Sequence, residues 1–542
     1  MSDTLRAPPS QSRKQRGRAC ADGVRLKVSA AAPAVPSGST PPGAASPAPA
    51  AEPGRLVLRN MVSLVLSQFV TTPLSMLVNA VLARTLGAGD FGTIYLATTM
   101  VSLGFLFVEW GQGATIAAEV SKDRSRAEYA VGTGIVLKLA GSVVVTFCLA
   151  LVTWLLGYDR AVWVALGLIV VQTFFVAMGN GYQAVLRGHE RFDLVSRVTV
   201  AGNILAAAFV IPVALLGGKL RGTLAAQAAA AALALVTTVW LARSVGLRRP
   251  RVSRATAAVL FHTGTGFFIL NLVLALQPNV DAVVLSKLAS TEAVGWFAAA
   301  RRLTGLLIFP ATTLSFALYP TLVRLWRDDR AEYTRLVTSA LRTVLLLGIC
   351  ISTGTFLFAD VAIRVVYGTK GYAPAVSDLR VLSGFVMLLF FSLIPGSAIL
   401  ASGRQMLWSA VQGICIVVSA VGDPLLVPVF QGRFGNGGLG VCVSAIVSES
   451  LMIAFAMVLL RDLHLPRALA PTLWRALLGG AGMILLERAL RGVSPLLTIP
   501  ACVAVYFGIV YALGGIQREQ VMLLRETLRG KVAKANRAKA IS

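Results

Sequence analysis

Fourteen apolar stretches, each long enough to cross a bilayer and separated by short connectors, leave this chain few ways to fold. A helix rises about 1.5 Å per residue, so roughly 20 apolar residues cross a hydrocarbon core of about 30 Å. The stretches are 60–86, 92–118, 131–156, 161–186, 194–217, 221–242, 258–287, 293–322, 333–358, 377–400, 405–430, 437–460, 470–487 and 494–515. In lipid every backbone N–H and C=O must be satisfied within its own segment, which makes these segments helices. A composition of 56% hydrophobic and 14% charged residues, with mean hydropathy +0.74, fits no soluble domain.

The basic residues give the direction of insertion, because cytoplasmic connectors retain positive charge. With the N-terminus inside, 36 of the 50 Lys and Arg fall in cytoplasmic segments and 11 in outer connectors, while Lys138, Arg301 and Arg302 lie within spans. This pattern predicts that both termini are cytoplasmic. It also puts the net charge of +26 at the inner leaflet, where anionic lipid attracts it, with no call on nucleic acid. Residues 1–54 are rich in Pro, Ala and Ser and basic up to Lys27, and read as a disordered cytoplasmic tail. They lack the apolar core of a secretory signal, so the first span is expected to remain as an anchor. Residues 517–542 form a second basic tail. Five of the six cysteines fall in spans with no CxxC spacing, and no metal-ligand cluster, nucleophile elbow or phosphate-binding GxxxxGK[ST] occurs. No cofactor, metal or enzymatic chemistry is expected.

An internal repeat organises the spans. LARTLGAGDFGTIYLA (82–97) aligns without gaps on LSKLASTEAVGWFAAA (285–300), and AVLRG (184–188) on ILASG (399–403) at a similar displacement. The first span then corresponds to the seventh and the fourth to the tenth. The expected architecture is all-α: two six-helix lobes in parallel repeat around a central cavity, residues 55–242 and 258–460, with a basic linker at 243–257 and two appended helices within 461–516.

These segments carry a family resemblance. LARTLGAGDFGTIYLATTMVSLGFLFVEWG resembles the opening hairpin of the polysaccharide-repeat-unit (O-antigen and exopolysaccharide) flippases, a branch of the exporters that include multidrug antiporters and lipid II flippases. The resemblance continues in Asp281 with VVLSKLASTEAVGWFAAARRL, Leu318-Tyr319-Pro320, Val366-Tyr367-Gly368 with Gly371-Tyr372, and Ala401-Ser402-Gly403-Arg404, over about residues 55 to 520. It implies alternating access at a cavity between two lobes, carrying an undecaprenyl-pyrophosphate-linked oligosaccharide across a bacterial inner membrane. The implied partners are that lipid substrate, a polysaccharide polymerase and export machinery.

Charges inside spans are costly, about 2.5–3.5 kcal/mol on insertion scales, and usually face a cavity or a partner. A lipid pyrophosphate needs cations and hydrogen-bond donors to cross, which makes Arg301, Arg302 and Lys138 the substrate-cavity candidates. Asp281 lies at a depth similar to the two arginines, and adjacent helical residues point about 100° apart, so one arginine is expected to pair with Asp281 while the other faces the cavity. The alternatives are an ion pair that only locks the hairpin, and a Lys138 that snorkels to the interface. Glu109, Asp423 and Glu449 are the acids able to carry a coupling ion, or else to pair with Lys138 or a backbone amide. Arg84 and Lys287, at matching helix ends, read first as interfacial anchors.

Two other functions compete. A cation-coupled multidrug exporter of the same superfamily would be expected to carry an acid in its first span, and residues 60–83 contain none. A membrane polysaccharide polymerase or ligase would need a long outer loop bearing catalytic groups, whereas the longest outer connector here has about 18 residues.

Overall fold

The computed structural model describes residues 53–515 apart from 248, 370 and 464. The tails expected at 1–54 and 517–542 therefore lie almost wholly outside the described residues. The described chain is helical: α1 (Pro53–Glu109), α2 (Gln112–Lys122), α3 (Ala127–Leu155), α4 (Arg160–Gly188), α5 (Phe192–Leu215), α6 (Lys219–Arg243), α7 (Arg254–Leu288), α8 (Thr291–Leu307), α9 (Phe309–Asp328), α10 (Arg330–Leu357), α11 (Ala359–Tyr367), α12 (Ala375–Ala401), α13 (Gln405–Phe434), α14 (Gly438–Leu459), α15 (Leu465–Ala489) and α16 (Pro495–Ala512).

Among the described residues, 11 helices are long and apolar enough to cross a membrane, or 12 if the pair α8 and α9, bent by 43°, forms one span. Every one of the fourteen expected stretches has a helical counterpart. The first crossing helix in that count holds two of them, because α1 bends at Gly87 (φ 81°), a backbone conformation that glycine adopts without a Cβ penalty. The 35-residue α7 supplies another outside the count. Large apolar side chains face outward, with Leu216, Phe316, Met406 and Leu496 all at least 80% exposed, as a helix surface facing lipid requires. Local chemistry starts the helices where the sequence turns polar. The Ser253 hydroxyl accepts from the Thr256 amide, Ser290 from Ala293, and Asp329 from Ala331 and Glu332, satisfying first-turn donors of α7, α8 and α10.

The packing repeats along with the sequence. In the first half α4 packs on α6, α5 on α6, and α3 on α4; in the second α12 packs on α14, α13 on α14, and α10 on α12. The last two helices, α15 and α16, pack on each other and on α10. The largest apolar core is shared between the halves, joining Phe91, Met100, Leu149 and Ile169 to Phe297, Leu303, Leu379 and Phe385.

Where the halves meet, the two copies of the repeat touch through corresponding residues. A Cβ on Gly92 would lie 2.2 Å from the Thr291 carbonyl oxygen, and one on Gly295 would lie 2.0 Å from that of Ala88. Gly92 aligns with Gly295 and Ala88 with Thr291, so the contact is reciprocal. Arg84 and Lys287 also correspond, and each reaches carbonyls at the C-terminal end of a helix in the other half. Arg84 donates to Val366 O at 2.9 Å and to Val365 O at the end of α11. Lys287 donates to Leu156 O after α3, with its ammonium 3.4 Å from the Tyr158 ring centroid. Both supply positive charge where a helix end leaves unpaired carbonyls. The Tyr372 hydroxyl donates to Ala83 O at 3.2 Å, and the Trp296 indole to Gly371 O at 2.7 Å. A second close approach joins the break at Trp110 and Gly111 to α7. Gly111 faces Gly264 O, and Trp110 stacks on Phe268 at 4.1 Å.

A methyl group at Gly295 has no room unless the two halves separate. Gly295→Ala is expected to destabilise this closed arrangement by about 1–3 kcal/mol. Spin labels at exposed residues 155 and 288 should report a longer distance in that variant. Gly305→Ala, at a site with nothing within 4 Å, should leave the distance unchanged.

Candidate functional site

The charged residues inside the spans separate into three environments. In the first half, Lys138 of α3 is buried, 1% exposed, and its ammonium donates to the Glu109 carboxylate at 2.8 Å and to Ala177 O at 2.7 Å. Asn180 of α4 donates to the other Glu109 oxygen at 3.2 Å. Lys138 therefore neither snorkels nor stands free to meet an anion. It is held between α1 and α4, and Glu109 takes the bland alternative, pairing with Lys138.

The cation that faces open space nearby is Arg187, which sequence reasoning passed over. It sits in the last turn of α4, one helix face with Asn180 and Gln183, and lines a cavity of about 570 Å³ together with Glu109, Gly113, Asn180, Phe268 and Asn271. Its guanidinium makes no hydrogen bond or ion pair with the protein, and Gly113 approaches it without a side chain in the way. In the sequence Arg187 reads as one more basic residue of a cytoplasmic connector. The signal that distinguishes it is its spacing of seven from Asn180 and four from Gln183, which aligns all three along α4.

In the second half the acids gather. Asp281 of α7 lies beside Asp423 of α13 and is reached by the Ser419 hydroxyl at 3.5 Å. Asp423 is wholly buried, with its carboxylate set against Asp281 and the Ser444 hydroxyl and with no cation among the described residues paired to it. Glu449 of α14 accepts from the Ser392 hydroxyl. Among the described residues no group of three or more His, Cys, Asp and Glu is arranged to hold a metal ion.

Between these environments run Arg301 and Arg302, both half-buried on α8. Their side chains diverge as adjacent helical residues must. Arg301 lies over the Phe385 ring at 4.8 Å, within electrostatic reach of Asp281 and Glu449. Arg302 lies over the Phe91 ring at 5.0 Å, near Tyr95, Tyr367 and Tyr372. Neither arginine forms an ion pair within 4 Å with Asp281. The expected pair is replaced by the Asp281 and Asp423 neighbours and by cation–π contacts, in which the aromatic faces take the place of a carboxylate. A second cavity, about 430 Å³ and almost entirely apolar, lies among α1, α8, α10 and the last two helices, with Met76, Leu307, Ile351, Met483 and Val503 on its walls.

This geometry sets up a clean separation of roles. Replacing Glu109 by Gln leaves the buried Lys138 unpaired and is expected to lower stability by about 3 kcal/mol, most of it recovered when Lys138→Met is added. Arg187→Gln should change stability by no more than about 0.5 kcal/mol. Thermal unfolding of the purified variants measures all three.

Comparison with known proteins follows the fold. The family described as "Polysaccharide biosynthesis protein" matches residues 81–377, more than half of the chain. A relative named "Probable low-salt glycan biosynthesis flippase Agl15", from Haloferax volcanii, is 20% identical over 383 residues, covering 68% of this chain and 77% of the relative. Among solved structures, the lipid II flippase MurJ in an inward closed conformation superposes with a TM-score of 0.66 at 12% identity, over 84% of this chain and 99% of that one. A multidrug resistance MATE family transporter of the MOP superfamily, in an inward-facing conformation, superposes with a TM-score of 0.58 at 17% identity, over 75% and 99%. At these identities the two structures share the fold with this chain.

Proposed function

We propose that this chain, which belongs to the polysaccharide biosynthesis protein family, is a flippase that moves lipid-linked oligosaccharide from one leaflet to the other during surface polysaccharide synthesis. It is a transporter and not an enzyme. The observation that carries the reading is Arg187, a guanidinium that makes no hydrogen bond or ion pair with the protein and lines, together with Glu109, a cavity walled by α1, α2 and α4 on one side and by α7 on the other. A planar, permanently charged donor in that position suits an anionic pyrophosphate. The apolar cavity beside α15 and α16 suits the other end of the same amphiphile, its lipid chain. The flippase name of the Haloferax volcanii relative points the same way.

With both termini cytoplasmic, as the charge asymmetry implies, the Gly92 and Gly295 contact lies at the outer end, and the cavity at Arg187 lies toward the cytoplasm. The bacterial inner membrane is the proposed location, with a polysaccharide polymerase acting next on the flipped unit. Lys138 then ties α3 to α1 and α4 within the first half, Asp281 and Arg301 pack within the second, and Arg302 reaches across to Phe91, so that these four support the walls of the path rather than touch the pyrophosphate. Among the acids, Asp423 is the best placed to take a coupling cation, because Glu109 is tied to Lys138 and Glu449 to Ser392.

Deletion of the gene tests the assignment. Mass spectrometry of lipid-linked oligosaccharides, with a membrane-impermeant sugar oxidant added to intact spheroplasts, is expected to show a completed repeat unit accumulating on the inner leaflet and cleared when the gene is restored. An unchanged pool, or units already exposed outside, would sink the flippase reading.

A further inference from the structure

A separate cavity of about 460 Å³ lies inside the first half, among α1, α4, α5 and α6. That volume falls within the roughly 300–1,000 Å³ of small-molecule sites. Six carboxamides line it: Asn79, Gln172, Asn180, Gln183, Asn203 and Gln227. No Asp, Glu, Lys or Arg is among its lining residues.

The amides are not consumed by the protein. Asn79 and Asn203 each donate to a carbonyl one turn back, at 2.8 and 3.0 Å, and Asn180 donates to Glu109, which leaves their side-chain oxygens as acceptors. Gln172, Gln183 and Gln227 form no hydrogen bond within the protein. All three are half-buried, so their amides face the cavity in contact with water, and three such groups converging on one space can exchange that water for the hydroxyl or amide groups of a polar ligand. Small residues on the facing helices, Gly202 and Ala206 on α5 and Ala230 and Ala234 on α6, provide the room. Phe175 adds an aromatic face to the polar wall.

Uncharged donors and acceptors around an aromatic face match one ligand chemistry well. Carbohydrate hydroxyls and acetamido groups both donate and accept, as a carboxamide does, and the C–H bonds of a sugar ring pack against an aromatic face. An ionised sugar would enter with no counter-charge on the walls and would lose its hydration for nothing in return. The cavity also adjoins the one at Arg187. Asn180 lines both, and Gln183 stands four residues before Arg187 on the same face of α4, about 6 Å of helical rise away.

We propose that this amide-lined cavity is a sugar subsite that receives a neutral, hydroxyl- or acetamido-bearing unit of the glycan while its pyrophosphate lies at Arg187. The proposal rests on the flippase reading and adds the class of sugar that the first half accepts. It makes Gln172, Gln183 and Gln227 specificity-determining residues, distinct from the charged groups that hold the headgroup.

The test uses the purified full chain in nanodiscs and three probes: undecaprenyl pyrophosphate, its N-acetylglucosaminyl derivative and its glucuronosyl derivative. The wild-type chain is expected to bind the N-acetylglucosaminyl lipid about tenfold more tightly than the bare pyrophosphate, and the glucuronosyl lipid no more tightly than the bare one. Gln183→Leu and Gln227→Leu should each remove most of that preference while leaving affinity for the bare lipid within about twofold. Arg187→Gln should weaken all three probes alike. Equal affinity of the wild type for all three lipids, a preference for the glucuronosyl form, or glutamine variants that weaken bare and sugar-bearing lipids equally would each overturn the subsite and leave the flippase reading standing. Failure of the wild type to bind any of the three would overturn both.

Discussion

The closest constraint in this molecule is the approach of two backbones at Gly92 and Gly295, where neither glycine has space for a methyl group. Helices that pass this near can do so only where a side chain is missing. The contact is made twice, once by each copy of the repeat, and Arg84 and Lys287 close helix ends around it with their charges. The shared core from Phe91 to Phe385 follows from the same approach, since its two sides are the helices that these glycines bring together. Motion of one half against the other must therefore begin by parting a seal made of small residues and exposed basic side chains.

The two halves share a fold but not a chemistry. The first half presents amides and a free guanidinium, with its one deeply buried cation neutralised by Glu109. The second half gathers Asp281, Asp423 and Glu449, and turns Arg301 toward them. Symmetry supplies the two-part scaffold, and function is placed in the departures from it. A transporter built this way can hold substrate with one half and an ion with the other, coupling them through the shared core rather than by direct contact.

Most of the fold was legible because lipid leaves so little choice: spanning length, apolar composition and the basic connectors located each spanning helix, though not the short α11 in the connector after residue 358, and the alignment of residue 92 with residue 295 anticipated which turns would correspond. Gly87 (φ 81°) falls in the turn expected between the first two spans, whereas Gly111 (φ 69°) breaks the expected span 92–118, a change of direction that apolar composition alone does not register. The site was less legible. Sequence depth placed Asp281 level with Arg301 and Arg302, but depth does not give azimuth. The rotation of α7 turns Asp281 to α13, while Phe385 and Phe91 take the arginines. Arg187 was missed because a cation at a helix end looks like an anchor until the neighbouring helices show an open cavity in front of it. The amides of α4, α5 and α6 carry no motif at all; only packing reveals that they converge.

The central claim is that glycan passage requires the Gly92 and Gly295 seal to open, and a reversible clamp tests it most directly. A Cβ at Gly89 would lie 3.9 Å from the Thr291 hydroxyl oxygen, so Gly89→Cys and Thr291→Cys place two thiols side by side across the contact for cross-linking. Surface polysaccharide export is expected to stop when the pair is oxidised in intact cells and to resume on reduction, at constant protein abundance. Undiminished export from fully cross-linked protein would contradict the proposal that the two halves part at this end.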